Sequence, residues 1–230
     1  MRDPHALWHP SPNFGDRRGG VLPDMIVLHY TAMGETCGAR DWLCNPEAEV
    51  SAHYLISTTG DVIQMVSEDM RAWHAGAGRW GAVEDVNSRS IGIEITNTGA
   101  QPFSEPQMHS LEALMRRIMA RWAIAPDRVI GHSDMAPGRK IDPGPRFDWR
   151  RLARQGLSIW PETASDAPVD GFRASAARFG YTAEVSDEVL LDAARARFRP
   201  WATGALDGQD AGIMADLATR FPVDRVSLSA

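Results

Sequence analysis

Between Gly131 and Gly144 the chain reads Gly-His-Ser-Asp-Met-Ala-Pro-Gly-Arg-Lys-Ile-Asp-Pro-Gly, with His132 near one end, Asp142 near the other and Lys140 two residues before Asp142. Imidazole and carboxylate are both zinc ligands, and a zinc ion that does chemistry keeps three protein ligands and an open position for water. His132 and Asp142 supply two of the three. The bland alternatives are a solvated loop lysine at Lys140 and an Asp-Pro turn start at Asp142.

Of the seven histidines, six besides His132 are available for the third position: His5, His9, His29, His53, His74 and His109. His109 lies inside a helical pattern and reads as solvent-facing, and His5 and His9 sit in a polar arm. His29 closes an apolar run, where it is either a core imidazole satisfied by a carbonyl or a ligand. His53 and His74 stand at a strand start and in a loop, and spacing does not separate them from His29. Glu94 is flanked by isoleucines, which suits either a structural carboxylate paired with an arginine or an acid–base group.

The elements that must position these residues follow from periodicity. Met25-Ile26-Val27-Leu28-His29-Tyr30 has the continuous apolar character of a strand buried on both faces. Ala52 to Ser57 and Val62 to Val66 flank Thr58-Thr59-Gly60-Asp61 and read as a hairpin. Ser90 to Thr96 alternates isoleucine with smaller or polar residues, the period-two pattern of a strand. Ser104 can cap a helix whose first turn holds Glu105 and Pro106; Met108, Leu111, Leu114, Met115, Ile118 and Met119 recur at helical spacing to about Trp122. Val129 to His132 is a brief strand feeding the ligand loop, and Trp149 to Gln155 a short helix.

The expected organisation is an extended arm over 1–22, a main domain over 23–161, a proline-flanked linker over 162–170 and a helical module over 171–230. The module should hold three helices, Phe172 to Phe179, Asp187 to Phe198 after a Ser186 cap, and Asp210 to Phe221. Sixty residues make a marginal core, so the module should pack against the main domain. Cys37 and Cys44, in an expected short helix, would lie about 10 Å apart, too far for a disulfide, and read as buried thiols.

Lys plus Arg number 24 against 30 Asp plus Glu, a formal charge of −6, so no basic footprint points to nucleic acid. No apolar run reaches the roughly 18–20 residues that span a bilayer, which excludes membrane insertion by a helix. The first twenty residues have neither the apolar core of a signal peptide nor a lipidation cysteine. The expected compartment is therefore the cytoplasm, or the periplasm if a leader precedes this sequence. Oligomeric state is left open.

Five runs in order, His29-Tyr30-Thr31-Ala32, Val50 to Ile56, Arg71-Ala72-Trp73-His74-Ala75-Gly76, Ser90 to Glu94 and Gly131 to Gly144, resemble the zinc-dependent N-acetylmuramoyl-L-alanine amidases of the AmpD and AmiD type. The resemblance spans Pro23 to Pro161. Gly171 onward is similar, more loosely, to the helical peptidoglycan-binding-like module of AmiD-type enzymes, mainly through Ala196-Arg197-Phe198-Arg199-Pro200. It implies an α/β fold with a central mixed sheet flanked by helices and a three-helix module behind it. It implies Zn2+ on His29, His132 and Asp142, Glu94 as general base and Lys140 as stabiliser of the transition state. Tyr30, His53, Arg71, Trp73 and His74 become candidates for the substrate side or for orienting a ligand; Trp73, Trp80 and Arg71 suit a muramyl ring and peptide carboxylates, or simply loop packing.

The implied reaction is hydrolysis of the amide joining N-acetylmuramic acid, or its 1,6-anhydro form, to L-alanine of a stem peptide, in peptidoglycan recycling or turnover. A muropeptide or peptidoglycan is then the partner. The alternative is a non-catalytic peptidoglycan-recognition module, which relatives of this fold resemble once a ligand is lost; no ligand is lost here. A zinc peptidase is disfavoured because His-Glu-x-x-His is missing.

Overall fold

The structure, a computed structural model, describes residues 1–162 and 165–224. Residues 163–164 of the expected linker and 225–230 of the expected module lie outside the described residues. In chain order the strands are β1 (Leu7–Trp8), β2 (Phe14–Gly15), β3 (Met25–Tyr30), β4 (Tyr54–Ile56), β5 (Val62–Gln64), β6 (Arg71–Ala72), β7 (Ser90–Ile95) and β8 (Val129–Gly131). The α-helices are α1 (Thr36–Cys44), α2 (Val86–Arg89), α3 (Glu105–Trp122), α4 (His132–Met135), α5 (Trp149–Arg154), α6 (Phe172–Phe179), α7 (Asp187–Phe198) and α8 (Gly208–Arg220).

Six strands make one mixed sheet in the order β1-β5-β4-β7-β3-β8. Only the β4–β5 hairpin is antiparallel; β3 runs parallel to both β7 and β8. Met25 to Leu28 are fully buried, as a central strand covered on both faces requires. Alternation then sorts the side chains. Ile26 and Leu28 with Ile91, Ile93 and Ile95 face α3, where Met108, Leu111, Leu114, Met115 and Ile118 fill the gap. Each such side chain brings roughly 1.5–3 kcal/mol of transfer free energy. Met25 and Val27 face the other way, into a cluster shared with α6, α7 and α8.

α3 begins where the sequence places it. Ser104 accepts from the Gln107 N–H, and the Gln107 side chain accepts from Ser104 N–H, a reciprocal capping box. α8 starts two residues before the expected Asp210, because Asp207 and Asp210 cap each other's backbone N–H groups. Cys37 and Cys44 do fall in α1 but are not buried thiols. Cys37 is exposed and Cys44 half-buried, because the inward stripe of that helix is Ala39 and Leu43.

The first 22 residues are extended and tied down. β1 pairs parallel with β5, and β2 pairs with β6 in a separate two-stranded ribbon. Arg17 is buried and donates to the carbonyls of Glu68, Ser88 and Ser90, fixing the entry to β7. No described helix is long and apolar enough to cross a membrane.

Candidate active site

β7, β3 and β8 lie side by side and parallel, and the chemistry sits at their C-terminal ends, the usual ligand-binding edge of such sheets. His29 and Glu94 are register partners, so they project from the same face on adjacent strands. His132 follows directly on β8 and opens α4. The loop then returns so that Ser133 N–H donates to Asp142 C=O at 2.9 Å, which brings the Asp142 side chain back to His132.

His29 Nδ1 lies 2.8 Å from Asp142 Oδ2 and 3.0 Å from His132 Nδ1, and His132 Nδ1 is 3.1 Å from the same Oδ2. All three residues are buried. The surrounding hydrogen bonds decide what those atoms carry. Ser90 Oγ donates to Val86 C=O and so accepts from His74 Nε2; His74 Nδ1 is then free to accept from His29 Nε2 at 3.0 Å. That leaves a lone pair on His29 Nδ1. His132 Nε2 donates to Ala75 C=O at 2.8 Å, so a neutral His132 also turns a lone pair inward. Burial, and secondarily His132, lowers the His29 pKa to about 4 against the pull of Asp142, which keeps the ring neutral. Burial would raise Asp142, but its contacts with His132 and His29 outweigh that and hold it below the usual carboxylate range. Two lone pairs and an anion converging within about 3 Å repel one another unless a cation joins them. His29, His132 and Asp142 therefore form a group able to hold a metal ion.

Across from it, Glu94 has its pKa pushed up to about 8, by burial first and then by the Asp142 charge, with Lys140 opposing. Its Oε2 is buried without a hydrogen-bond partner among the described residues, so the carboxyl is not spent on a structural arginine. A cavity of about 480 Å3 opens over the cluster, and Tyr30, Trp73, His74, Glu94, His132, Lys140 and Asp142 line it. Lys140 is exposed at its rim.

Other residues singled out in the sequence stand elsewhere. Arg71 gives its guanidinium to Asp85 at 2.9 Å and does not line the cavity. His53 lies one layer beneath: its Nδ1 accepts from Gly92 N–H and its Nε2 donates to Met70 C=O. Trp80 offers no face to a sugar, because it is fully buried against Phe179 and Tyr181.

Three contributors were not foreseen. Arg139 donates to the carbonyls of Ala75 and Ala77 and ties the His74 loop to the ligand loop. Asn87 Oδ1 accepts from the N–H groups of both His74 and Ala75, fixing that loop from below. Trp42 of α1 forms part of the cavity wall. Arg139 had a signal, its place beside Lys140; Asn87 and Trp42 act through contacts distant in sequence.

A mixed α/β sheet with two imidazoles, three carboxyl or ammonium groups and a cavity at its strand ends defines a hydrolase-like site built around a group able to hold a metal ion. Residues 19–145 match the family described as N-acetylmuramoyl-L-alanine amidase, and the chain belongs to that family. It is 35% identical over 185 residues to the N-acetylmuramoyl-L-alanine amidase AmiD of Escherichia coli, covering 68% of this chain and 66% of that protein. It is 44% identical over 159 residues to the 1,6-anhydro-N-acetylmuramyl-L-alanine amidase AmpD of Haemophilus influenzae, covering 61% of this chain and 86% of that one. The solved complex of E. coli AmiD with anhydro-N-acetylmuramic acid-L-Ala-D-gamma-Glu-L-Lys superposes with a TM-score of 0.81 at 28% identity, over 92% of this chain and 99% of that chain. The likeness to AmiD thus reaches past the main sheet into the C-terminal helices.

Proposed function

We propose that this chain hydrolyses the amide between the lactyl group of N-acetylmuramic acid, or its 1,6-anhydro form, and L-alanine of a stem peptide, with zinc held by His29, His132 and Asp142. The carrying observation is the triangle of inward-facing donor atoms. Its edges of 2.8, 3.0 and 3.1 Å approach the roughly 3.3 Å edge of a tetrahedral site with bonds near 2.0 Å. A donor set of two imidazoles and one carboxylate suits zinc, and the cavity leaves a fourth direction open. When bound, the ion polarises the scissile carbonyl and acidifies water.

The chain's own groups do the rest. Glu94 takes the proton of the attacking water and passes it to the leaving amine of L-alanine, a shuttle suited to a carboxyl whose pKa is raised toward neutrality. Lys140, at the rim, offsets the charge that develops on the carbonyl oxygen. His74 holds His29 in the tautomer that presents Nδ1. Tyr30 and Trp73 offer aromatic walls to the sugar and peptide.

The test is release of peptide with a free L-alanine amino group from purified, zinc-loaded protein. Turnover of an anhydro-muropeptide but not of intact sacculi assigns a recycling role; attack on both assigns wall turnover. Inactivity on both substrates sinks the proposal.

A further inference from the structure

The C-terminal helices reach the metal-binding cluster through one carboxylate. Asp134, two residues beyond His132 on α4, is 1% exposed, and the partners that reach it from α7 and from the turn after α6 are as deeply buried: Arg197 at 2% and Tyr181 at 3%. Asp134 Oδ2 accepts from its own Gly131 N–H at 2.7 Å and from Arg197 Nη1 at 2.5 Å, while Oδ1 accepts from Tyr181 Oη at 2.5 Å. Arg197 also donates to Val129 C=O at 2.9 Å, so one guanidinium spans the last strand and the turn that follows it. Trp149 lies under the guanidinium at 4.3 Å. A second contact grips the His74 loop: Gly81 N–H donates to Gly180 C=O at 2.9 Å, Thr182 Oγ1 donates to Gly81 C=O at 2.8 Å, and Trp80 packs edge-on against Phe179 and Tyr181.

In this network Arg197 Nε alone is left without a hydrogen-bond partner among the described residues, whereas both carboxylate oxygens of Asp134 are satisfied. A buried carboxylate that loses its cation costs several kcal/mol, so Arg197 and Asp134 hold together whenever both helices are docked. Asp134 shares a single helical turn with His132, and the orientation of His132 depends on that turn together with its Nε2, which donates to the Ala75 carbonyl of the gripped loop. We infer that Arg197 and Tyr181 are positioning residues that fix His132, and through it the metal-binding triangle, so that the helical module preorganises the site in addition to anything it binds. This rests on the proposed metal-dependent amidase reading for its consequence, but not for its geometry.

The test compares full-length R197M, Y181F and L217A. Leu217 is a fully buried α8 residue of the apolar cluster that the helices share with the main sheet, and it offers Asp134 no polar partner, so L217A loosens that packing without stripping the carboxylate. Two readouts apply. In metal-free protein, side-chain nitrogen NMR reports the tautomer of His132: wild type and L217A should show one Nε2–H species, and R197M and Y181F a mixture. In a chelator competition, zinc affinity should fall about 10–100-fold in R197M, the range for groups that orient a metal-ligating histidine, and less in Y181F, with L217A unchanged despite its lower melting temperature. Because Y181F removes one hydroxyl, it reports even if R197M does not fold. A single His132 tautomer in Y181F and R197M, or an equal change in L217A, overturns the inference. Wild-type protein that takes up no zinc would instead sink the functional proposal, and the tautomer readout would still decide this one.

Discussion

Gly92 of β7 gives the sharpest test of how the cluster is held. A β-carbon placed there would lie 2.4 Å from His74 Cγ and 2.7 Å from Nδ1, where ordinary contact begins at 3.4 Å. In Gly92→Ala the ring must therefore retreat by about 1 Å, at an overpacking cost of about 1–3 kcal/mol. The strand itself does not object, since alanine is intrinsically favoured over glycine by roughly 0.5–1 kcal/mol there. Retreat breaks the 3.0 Å bond to His29 Nε2, and zinc affinity should fall about 10-fold or more. The cycle with His74→Ala isolates the cause: with the imidazole gone, the new methyl enters vacated space, and Gly92→Ala should be neutral or slightly stabilising. Urea unfolding of the four proteins in chelator should give a coupling energy of about 2 kcal/mol. An equal cost of Gly92→Ala in both backgrounds would show that the strand, not the histidine, requires glycine, and would refute the argument.

Glu94→Gln should keep zinc content and fold while kcat on an anhydro-muropeptide drops about 10²–10⁴-fold; retained turnover would remove Glu94 from proton transfer. Lys140→Met should lower kcat by about 10²–10³-fold with little change in KM, because a rim ammonium acts on the charge that appears in the transition state; a purely KM effect would assign it to binding. Chelation should lower the melting temperature, since a ligand present at about 1,000 times its Kd adds roughly 4 kcal/mol, and zinc alone should restore it. For pH, burial and then Arg17 depress the His53 pKa to about 3 from the ordinary 6.5. The unfolded chain thus binds the proton first, so this histidine's contribution is intact above about pH 6.5 and drains as pH falls toward 3, at roughly 1.4 kcal/mol per unit. His53→Gln should flatten the acid-unfolding profile by about one proton, and an unaltered slope would contradict the assignment.

What could be read from the chain divides along physical lines. β3, β7 and α3 were legible because their signals are local: an unbroken apolar run, isoleucine at period two, and a serine cap before a helical stripe. The buried arm and the docking of α7 were not, because they depend on which distant groups a guanidinium meets; Arg17 and Arg197 look alike in sequence to any surface arginine. His29 could not be separated from His53 and His74 by spacing. The three do share a neighbourhood, with His29 and His74 rings 5.1 Å apart and His53 and His74 rings 5.8 Å apart, but only hydrogen-bond partners distinguish the ring facing Asp142 from the two behind it.

The site's two halves are held by different physics, which decides where each is vulnerable. His29 and Glu94 share a face because β3 and β7 pair in one register, and a slip of one residue would turn Glu94 toward α3. That slip would also turn Ile91, Ile93 and Ile95, all fully buried, off the α3 face, so the hydrophobic core itself guards the placement of Glu94. His132 and Asp142 have no such guard: one opens a single-turn helix and the other ends a loop, and neither has a paired strand to fix its side chain. Their placement depends on a few buried polar contacts, the Ser133–Asp142 backbone bond and the Asp134 network. Core substitutions on the α3 face should therefore reduce stability while leaving zinc affinity of the folded protein intact. Substitutions that strip a partner from Asp134 should reduce metal affinity well before they unfold the chain.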